Sequence, residues 1–168
     1  MSPVYTAAAL AALCAQEQEL VFEKFDAADA WAVGGLLQEA MAHEAKPVDM
    51  QAVLDGFTVF RYFPPGTGEA NEFWMGKKYN TVCRAQASSL RAAVELELSR
   101  QPPAAWQEDE QHYALCGGGF PIRVRGKGLV GAYCISGLPH LDDHRLLTAA
   151  LARYLGLPPR TVPAEERI

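Results

Sequence analysis

Three consecutive glycines, Gly117–Gly119, stand directly before the apolar segment that begins at Phe120. Glycines expose backbone N–H groups and let a ligand approach without interference from Cβ atoms. A phosphate-binding loop leads into a helix N-terminus, whereas these glycines lead into a predicted strand that contains Pro121. Two interpretations are therefore stronger than a nucleotide site: a β-bulge or tight turn, and one wall of a small-molecule pocket.

Two histidines, His140 and His144, stand four residues apart with Asp142 and Asp143 between them. Side chains at this spacing share one helix face and can hold a transition metal. Carboxylates near a helix start also have a plain electrostatic explanation, because the helix N-terminus attracts negative charge. The segment therefore favours a structural capping cluster over a metal site. His144 alone, oriented by a nearby acid, is the alternative that keeps a chemical role.

The segment Asn71–Asn80 combines large aromatic surface with two amines and two amides. Aromatic rings beside cations suit a flat, anionic ligand. An equally good interpretation places Trp74 in the core and leaves Lys77 and Lys78 solvated. No nucleophile elbow of the Gly-x-Ser-x-Gly type is present, so catalytic residues stay unassigned.

The composition argues against several classes of partner. With 15 Lys and Arg against 20 Asp and Glu, the net charge is −5, which disfavours a nucleic-acid backbone as ligand. No apolar run approaches the roughly 20 residues that span a bilayer. The apolar stretch Ala7–Ala15 has no basic residue before it, unlike a secretory signal. We expect a cytoplasmic protein that binds neither nucleic acid nor membrane, with four reduced and mostly buried cysteines.

The elements that position these residues follow from turn and capping signals. Asp26 is typical of a helix N-cap, and Asp55-Gly56 between two alternating segments predicts a tight β-hairpin. Asn71 is expected to cap a helix that runs toward Ser88. The apolar stretch Leu129–Ser136 is typical of a central strand. The order of helices and tightly connected strands predicts an α+β domain with an antiparallel sheet.

The length of 168 residues fits a single domain. We expect one domain over residues 1–168. Its N-terminal helix lies within residues 1–19 and starts near Ser2-Pro3, and a C-terminal tail covers residues 157–168.

Several short motifs, each weak alone, resemble one family when they are taken together. They are Asn71-Glu72-x-Trp74, Lys78-x-Asn80-Thr81-Val82, Ser88-Ser89, Gly117–Ile122, Ser136–Pro139 and Asp143-His144. The combination resembles the uncharacterised haem-degrading-domain family, which is similar to GlcG/HbpS-like haem-binding proteins, over roughly residues 20–155. The resemblance implies a profilin-like antiparallel sheet of about five strands flanked by helices, and a homo-oligomer. Lys77-Lys78 departs from the Arg-Lys pair expected there, and lysine lacks the planar fork of arginine.

The resemblance and the residue chemistry together predict a binding site for a small, flat or anionic ligand, with haem or another tetrapyrrole as the candidate. Its predicted members are Asn71, Trp74, Lys78, Asn80, Gly117, Gly118, Gly119, Phe120 and His144. In this hypothesis Trp74 stacks on the ligand, Lys78 meets a carboxylate, and His144 ligates a metal or moves a proton. The alternatives are a haem-degrading or other redox enzyme, and an assembly module whose motif residues form subunit contacts.

Overall fold

The structure, a computed structural model, describes residues 3–100, 111–163 and 165–166. In chain order its elements are β1 (Pro3–Val4), α1 (Ala7–Glu19), β2 (Val21–Phe22), α2 (Ala27–Met41), β3 (Asp49–Leu54), β4 (Phe57–Tyr62), α3 (Glu69–Ala85), α4 (Ser89–Ser99), β5 (Gly119–Val124), β6 (Gly128–Ser136), α5 (His140–Leu155) and β7 (Glu165–Glu166). A five-stranded sheet has the order β2-β5-β6-β3-β4, and β1 pairs with β7. The predicted α+β class with about five strands is confirmed.

The sheet is antiparallel except at one edge, where the two-residue strand β2 pairs in parallel with β5. The predicted hairpin joins β3 to β4, and its turn residues Asp55 and Gly56 have positive φ angles of 50° and 77°. Such a turn matches the twist of the flanking strands. The apolar strand that the sequence places centrally is β6, which lies between β5 and β3.

One face of the sheet carries the main core, where α2 and α5 pack. Phe120 and Ile122 of β5 belong to the same buried cluster as Val33 of α2 and Leu147 of α5, and all four are fully buried. On the other face, α3 packs on β6 through a small buried cluster that consists of Met75, Val82, Ala132 and Cys134. The helix α3 is therefore fixed above the end of β6, where the candidate site lies.

One predicted helix start is wrong. The first helix begins at Ala7, because the hydroxyl of Thr6 accepts the N–H of Ala9, while Pro3–Val4 pairs with Glu165–Glu166. Asn71 does cap α3, but from inside the first turn: the helix begins at Glu69, and the Asn71 side chain accepts the N–H of Gly68.

All four cysteines are free thiols, as expected, but only Cys134 is buried. The other three are half-buried, so the expectation of mostly buried thiols is wrong. Across residues 3–100 and 111–163, none of the helices has the length and apolar character needed to cross a membrane. The acidic and polar segment Trp106–Gln111 predicts a surface connection, and all of it except Gln111 lies outside the described residues.

Candidate functional site

A cleft of about 410 Å³ lies between the first half of α3, the end of β6 and the start of α5. Its polar and aromatic lining residues are Asn71, Trp74, Lys78, Cys116, Ser136, His140 and Asp143. Three of them, Asn71, Trp74 and Lys78, belong to the predicted set. All three come from α3 at a spacing of three and four residues, which places them on one helix face.

A buried ion pair forms the base of this cleft. Lys78 Nζ lies 2.9 Å from Asp143 Oδ2 and also donates to the carbonyl of Ile135 at 3.0 Å. The second oxygen of Asp143 accepts the N–H of Leu138 at 3.0 Å. Burial raises the pKa of Asp143, and the nearby Lys78 ammonium opposes that rise. The amine expected to meet a ligand carboxylate therefore meets a carboxylate of the protein itself.

The glycine run packs closely against this ion pair. Gly118 has a φ of 119°, and a Cβ there would lie 2.6 Å from both Lys78 Nζ and the carbonyl oxygen of Ile135. An added Cβ at Gly117 would collide with the carbonyl of His140. The structure thus favours the tight-turn interpretation of the run, in which the absent side chains give room to the neighbouring elements rather than to a ligand.

A third ionisable group, Asp49, lies beneath the cleft at the start of β3. It is fully buried and stands opposite Ser136 in the β3–β6 register. Within the described part of the chain, no donor meets either of its carboxylate oxygens with hydrogen-bond geometry. Burial raises the pKa of Asp49 to about 7; the nearby backbone N–H groups of Asp49 and Ser136 and the Lys78 ammonium oppose this rise, and Asp143 increases it. The positive charge of Lys78 therefore acts on two carboxyl groups, those of Asp49 and Asp143.

Trp74 provides the aromatic surface at the rim of the cleft. Its side chain remains 43% exposed, and Lys77 Nζ lies 4.3 Å from its ring centroid, within the range of a cation–π contact. Asn71 beside it donates to the carbonyl of Ser136 at 3.3 Å. The hydrogen bond from Asn71 to Ser136 therefore fixes the helix turn that carries the indole against the sheet.

The other predicted members lie apart from the cleft lining. Asn80 donates to the carbonyl of His112 at 2.9 Å, and Phe120 lies in the main core. His144 is 2% exposed, and its Nε2 lies 2.7 Å from Gln16 Oε1 on α1. Burial lowers the pKa of His144 to about 3, with a smaller contribution from His140. The imidazole of His144 is therefore neutral at physiological pH.

Two cleft residues, Cys116 and His140, were absent from the predicted set. Cys116 directly precedes the glycine run, and burial raises the pKa of its thiol. The Nδ1 atom of His140 accepts the N–H of Gly117 at 3.0 Å, so a neutral ring carries its proton on Nε2. For Cys116 the available signal was its position directly before the glycines, and for His140 it was the four-residue spacing from His144. Within the described residues, no group of three or more His, Cys, Asp and Glu side chains is arranged to hold a metal ion.

A model of the haem-degrading HbpS-like family matches residues 25–152. The chain belongs to the HbpS-like family. A UPF0303 protein of Edwardsiella ictaluri is 38% identical over 150 residues, which are 89% of this chain and 96% of the relative. The predicted family resemblance is therefore confirmed.

Solved structures share the HbpS-like fold. The Ybr137w protein superposes with a TM-score of 0.78 at 26% identity, over 88% of this chain and 87% of its own. The haem complex of PduOC superposes with a TM-score of 0.65 at 19% identity, over 84% of this chain and 100% of its own. At 19% identity, the likeness to the PduOC complex shows a shared fold only.

Proposed function

We propose that this HbpS-like chain is a cytoplasmic homo-oligomer that binds a small, flat, anionic ligand of the tetrapyrrole class, with haem as the candidate. One observation carries the proposal: the cleft presents an exposed indole, Trp74, beside a thiol and an imidazole. A flat aromatic ligand stacks on such a ring. The family description and the haem complex of the PduOC relative support the same ligand class.

The donor groups of the cleft fit haem. Thiolate and imidazole are side-chain groups that bind haem iron. Cys116 supplies a thiol, which would release its proton on binding iron, and His140 supplies an imidazole. The backbone N–H of Gly117 occupies the lone pair of His140 Nδ1, and Nε2 of the neutral ring carries the proton, so neither nitrogen offers a lone pair to iron in this arrangement. Cys116 is therefore the candidate iron ligand. When bound, haem would supply a redox-active iron.

Haem titration of purified protein tests this assignment. Wild-type protein is expected to shift the Soret band, and Cys116→Ser is expected to change the band position, because a hydroxyl replaces the thiol ligand. Trp74→Ala is expected to weaken binding roughly three- to tenfold, the range of an aromatic stacking contact. Cys14→Ser, another half-buried thiol, is the matched control and should behave as wild type.

Two outcomes contradict the haem proposal. A Soret band that does not respond to wild-type protein excludes haem as ligand, and a Cys116→Ser spectrum identical to wild type excludes the thiol ligand. The same sample distinguishes a haem-degrading enzyme, the alternative that the family description favours, from a protein that only binds haem. With reductant and air, progressive loss of the Soret band over hours would indicate haem breakdown, whereas a constant band would indicate binding alone.

Exposed aromatic side chains at the β4 edge of the sheet support the homo-oligomer. Trp31 and Phe57 are 73% and 71% exposed, and β4 has a neighbouring strand on one side only among the described elements. Exposed strand edges and apolar patches are typical of surfaces that pair with another chain.

Light scattering tests the oligomer. We expect a wild-type mass several times that of one 18.3 kDa chain, and a smaller mass for Phe57→Ser, because this substitution removes apolar surface beside the open edge. Leu157→Ser, at an exposed apolar residue after α5, is the control. A monomeric wild type contradicts the proposal. Dissociation on Trp74→Ala without any haem affinity would instead favour the assembly-module alternative.

A further inference from the structure

The rim of the cleft carries a second positive charge, Lys77, which directly precedes the buried Lys78 on α3. Its Nζ lies 4.3 Å from the centroid of the Trp74 ring and 5.2 Å from that of the Phe73 ring. Both aromatic side chains are exposed. Cation–π contacts with the two rings hold the ammonium at a defined place beside the indole.

Two other basic side chains that contact α3 or belong to it already have carboxylate partners. Lys78 Nζ lies 2.9 Å from Asp143, and Arg61 lies 2.7 Å from Glu72 on the first turn of α3. Within the described part of the chain, no carboxylate lies within ion-pair distance of Lys77 Nζ, which rests on the aromatic rings instead. Its charge is therefore available to an anionic ligand.

The start of α5, which also borders the cleft, is a poorer place for an anion. Its first turn contains two carboxylates, Asp142 and Asp143, and these already answer the positive end of the helix dipole. The backbone N–H of Leu138 donates to Asp143. A ligand carboxylate is therefore attracted to Lys77 rather than to this helix start.

The position of Lys77 also limits which carboxylate it can meet. Trp74 lines the cleft, whereas Lys77 is not among the described residues of the lining, so its ammonium lies beside the indole and outside the cleft wall. A carboxylate on a short flexible chain can extend past the indole edge to the ammonium. A carboxylate attached directly to the stacked ring stays within the cleft.

We propose that Lys77 selects the ligand of the cleft by binding a carboxylate that a flat aromatic molecule, stacked on Trp74, carries on a short flexible chain. The inference rests on the proposed function and deepens it, since it names the group that recognises the anion. In this arrangement Lys77 takes the role that the sequence assigned to Lys78.

Two fluorescent probes, 1-pyrenebutyrate and 1-pyrenebutanol, test the assignment, because they share the ring and the chain and differ in the carboxylate. The measured quantity is the ratio of their affinities, and the change in this ratio between variants cancels the different solvation of the probes. We expect Lys77→Met to lower the butyrate-to-butanol ratio about two- to fivefold, the range of an exposed ion pair. Lys77→Arg should keep the ratio, because a guanidinium also binds a carboxylate.

Lys127→Met is the matched control, since it removes the same charge from an exposed lysine at the other end of β6, and it should leave the ratio unchanged. The affinity for 1-pyrenecarboxylate, which lacks the flexible chain, should not depend on Lys77. Trp74→Ala should weaken binding of both pyrene probes, because both stack on the indole. Unchanged affinities in Trp74→Ala would place the probes elsewhere and overturn the assignment.

Three further results would overturn it. They are an unchanged ratio in Lys77→Met, an equal loss of affinity for both probes in that variant, which would show that Lys77 only positions the indole, and an equal dependence of 1-pyrenecarboxylate on Lys77. Haem titration keeps this inference apart from the proposed function. A wild type that binds haem and 1-pyrenebutyrate without any effect of Lys77→Met would leave the haem site standing and remove the role of Lys77. A wild type that does not respond to haem, but whose affinity for 1-pyrenebutyrate depends on Lys77, would remove haem as the ligand and support the carboxylate site.

Discussion

Lys78→Met is expected to lower the free energy of unfolding by about 3–5 kcal/mol, the cost of leaving one partner of a buried ion pair alone. The Lys78 and Asp143 side chains are 3% and 2% exposed, so water cannot replace the lost ammonium. The carbonyl of Ile135 would also lose its donor. Urea unfolding followed by circular dichroism at a fixed protomer concentration gives the comparison with wild type.

A double variant separates the charge from the packing in this experiment. Lys78→Met combined with Asp143→Leu removes both charges, and replacing a buried pair by apolar groups is often neutral or stabilising. We therefore expect it to recover most of the lost stability. Lys77→Met, at the neighbouring lysine that rests on Trp74, should change stability by less than about 1 kcal/mol. A Lys78→Met variant as stable as wild type would show that the pair contributes little.

The parts of the fold that the sequence predicts are those governed by local rules. Asp55-Gly56 determines the hairpin because both residues adopt positive φ, and Asp26 accepts the N–H groups of Ala28 and Asp29 as the predicted cap. The parallel pairing of β2 with β5 has no such signal. Only Val21 and Phe22 take part, and two residues show no periodicity.

In the candidate site too, local sequence predicts some residues, whereas others are brought together only by the packing of distant elements. Asn71, Trp74 and Lys78 could be grouped from sequence because one helix face carries them. The partner of Lys78 could not be identified, because Asp143 lies 65 residues away and is brought close only when α3 and α5 pack on the sheet. In the sequence, Asp143 is explained as a carboxylate at a helix start, and the predicted chemical role falls on its neighbour His144. Residue type alone does not reveal which side chain of a helix turn points toward the cleft.

The glycine run is a related case. Gly118 was open to two interpretations, a turn and a pocket wall, because both require a residue without a side chain. The structure distinguishes them through the position of Lys78 Nζ and the carbonyl of Ile135, which occupy the space of the missing Cβ. The run therefore helps to build the cleft base, while Cys116, one residue before it, lines the cleft itself.

Asp49→Asn is expected to make the protein more stable than wild type above neutral pH. Burial raises the pKa of Asp49 from 3.8 to about 7, so the folded state holds a proton that the unfolded chain releases. Wild-type stability therefore decreases as the pH rises from about 4 to about 7, by up to about 4 kcal/mol for a shift of this size. Asparagine resembles the protonated acid and does not titrate, so this contribution is absent from the variant.

The test is a series of urea unfolding curves between pH 4 and pH 8 for wild type, Asp49→Asn and the surface control Asp142→Asn. The difference in unfolding free energy between Asp49→Asn and wild type should grow in favour of the variant as the pH rises, and level off above pH 7. Asp142, whose side chain is 48% exposed, should show no comparable trend when replaced. Since Asp49 lies beneath the cleft beside Lys78 and Asp143, a constant difference across this range would mean that Asp49 is ionised in the folded protein. The lysine would then compensate two carboxylates rather than one.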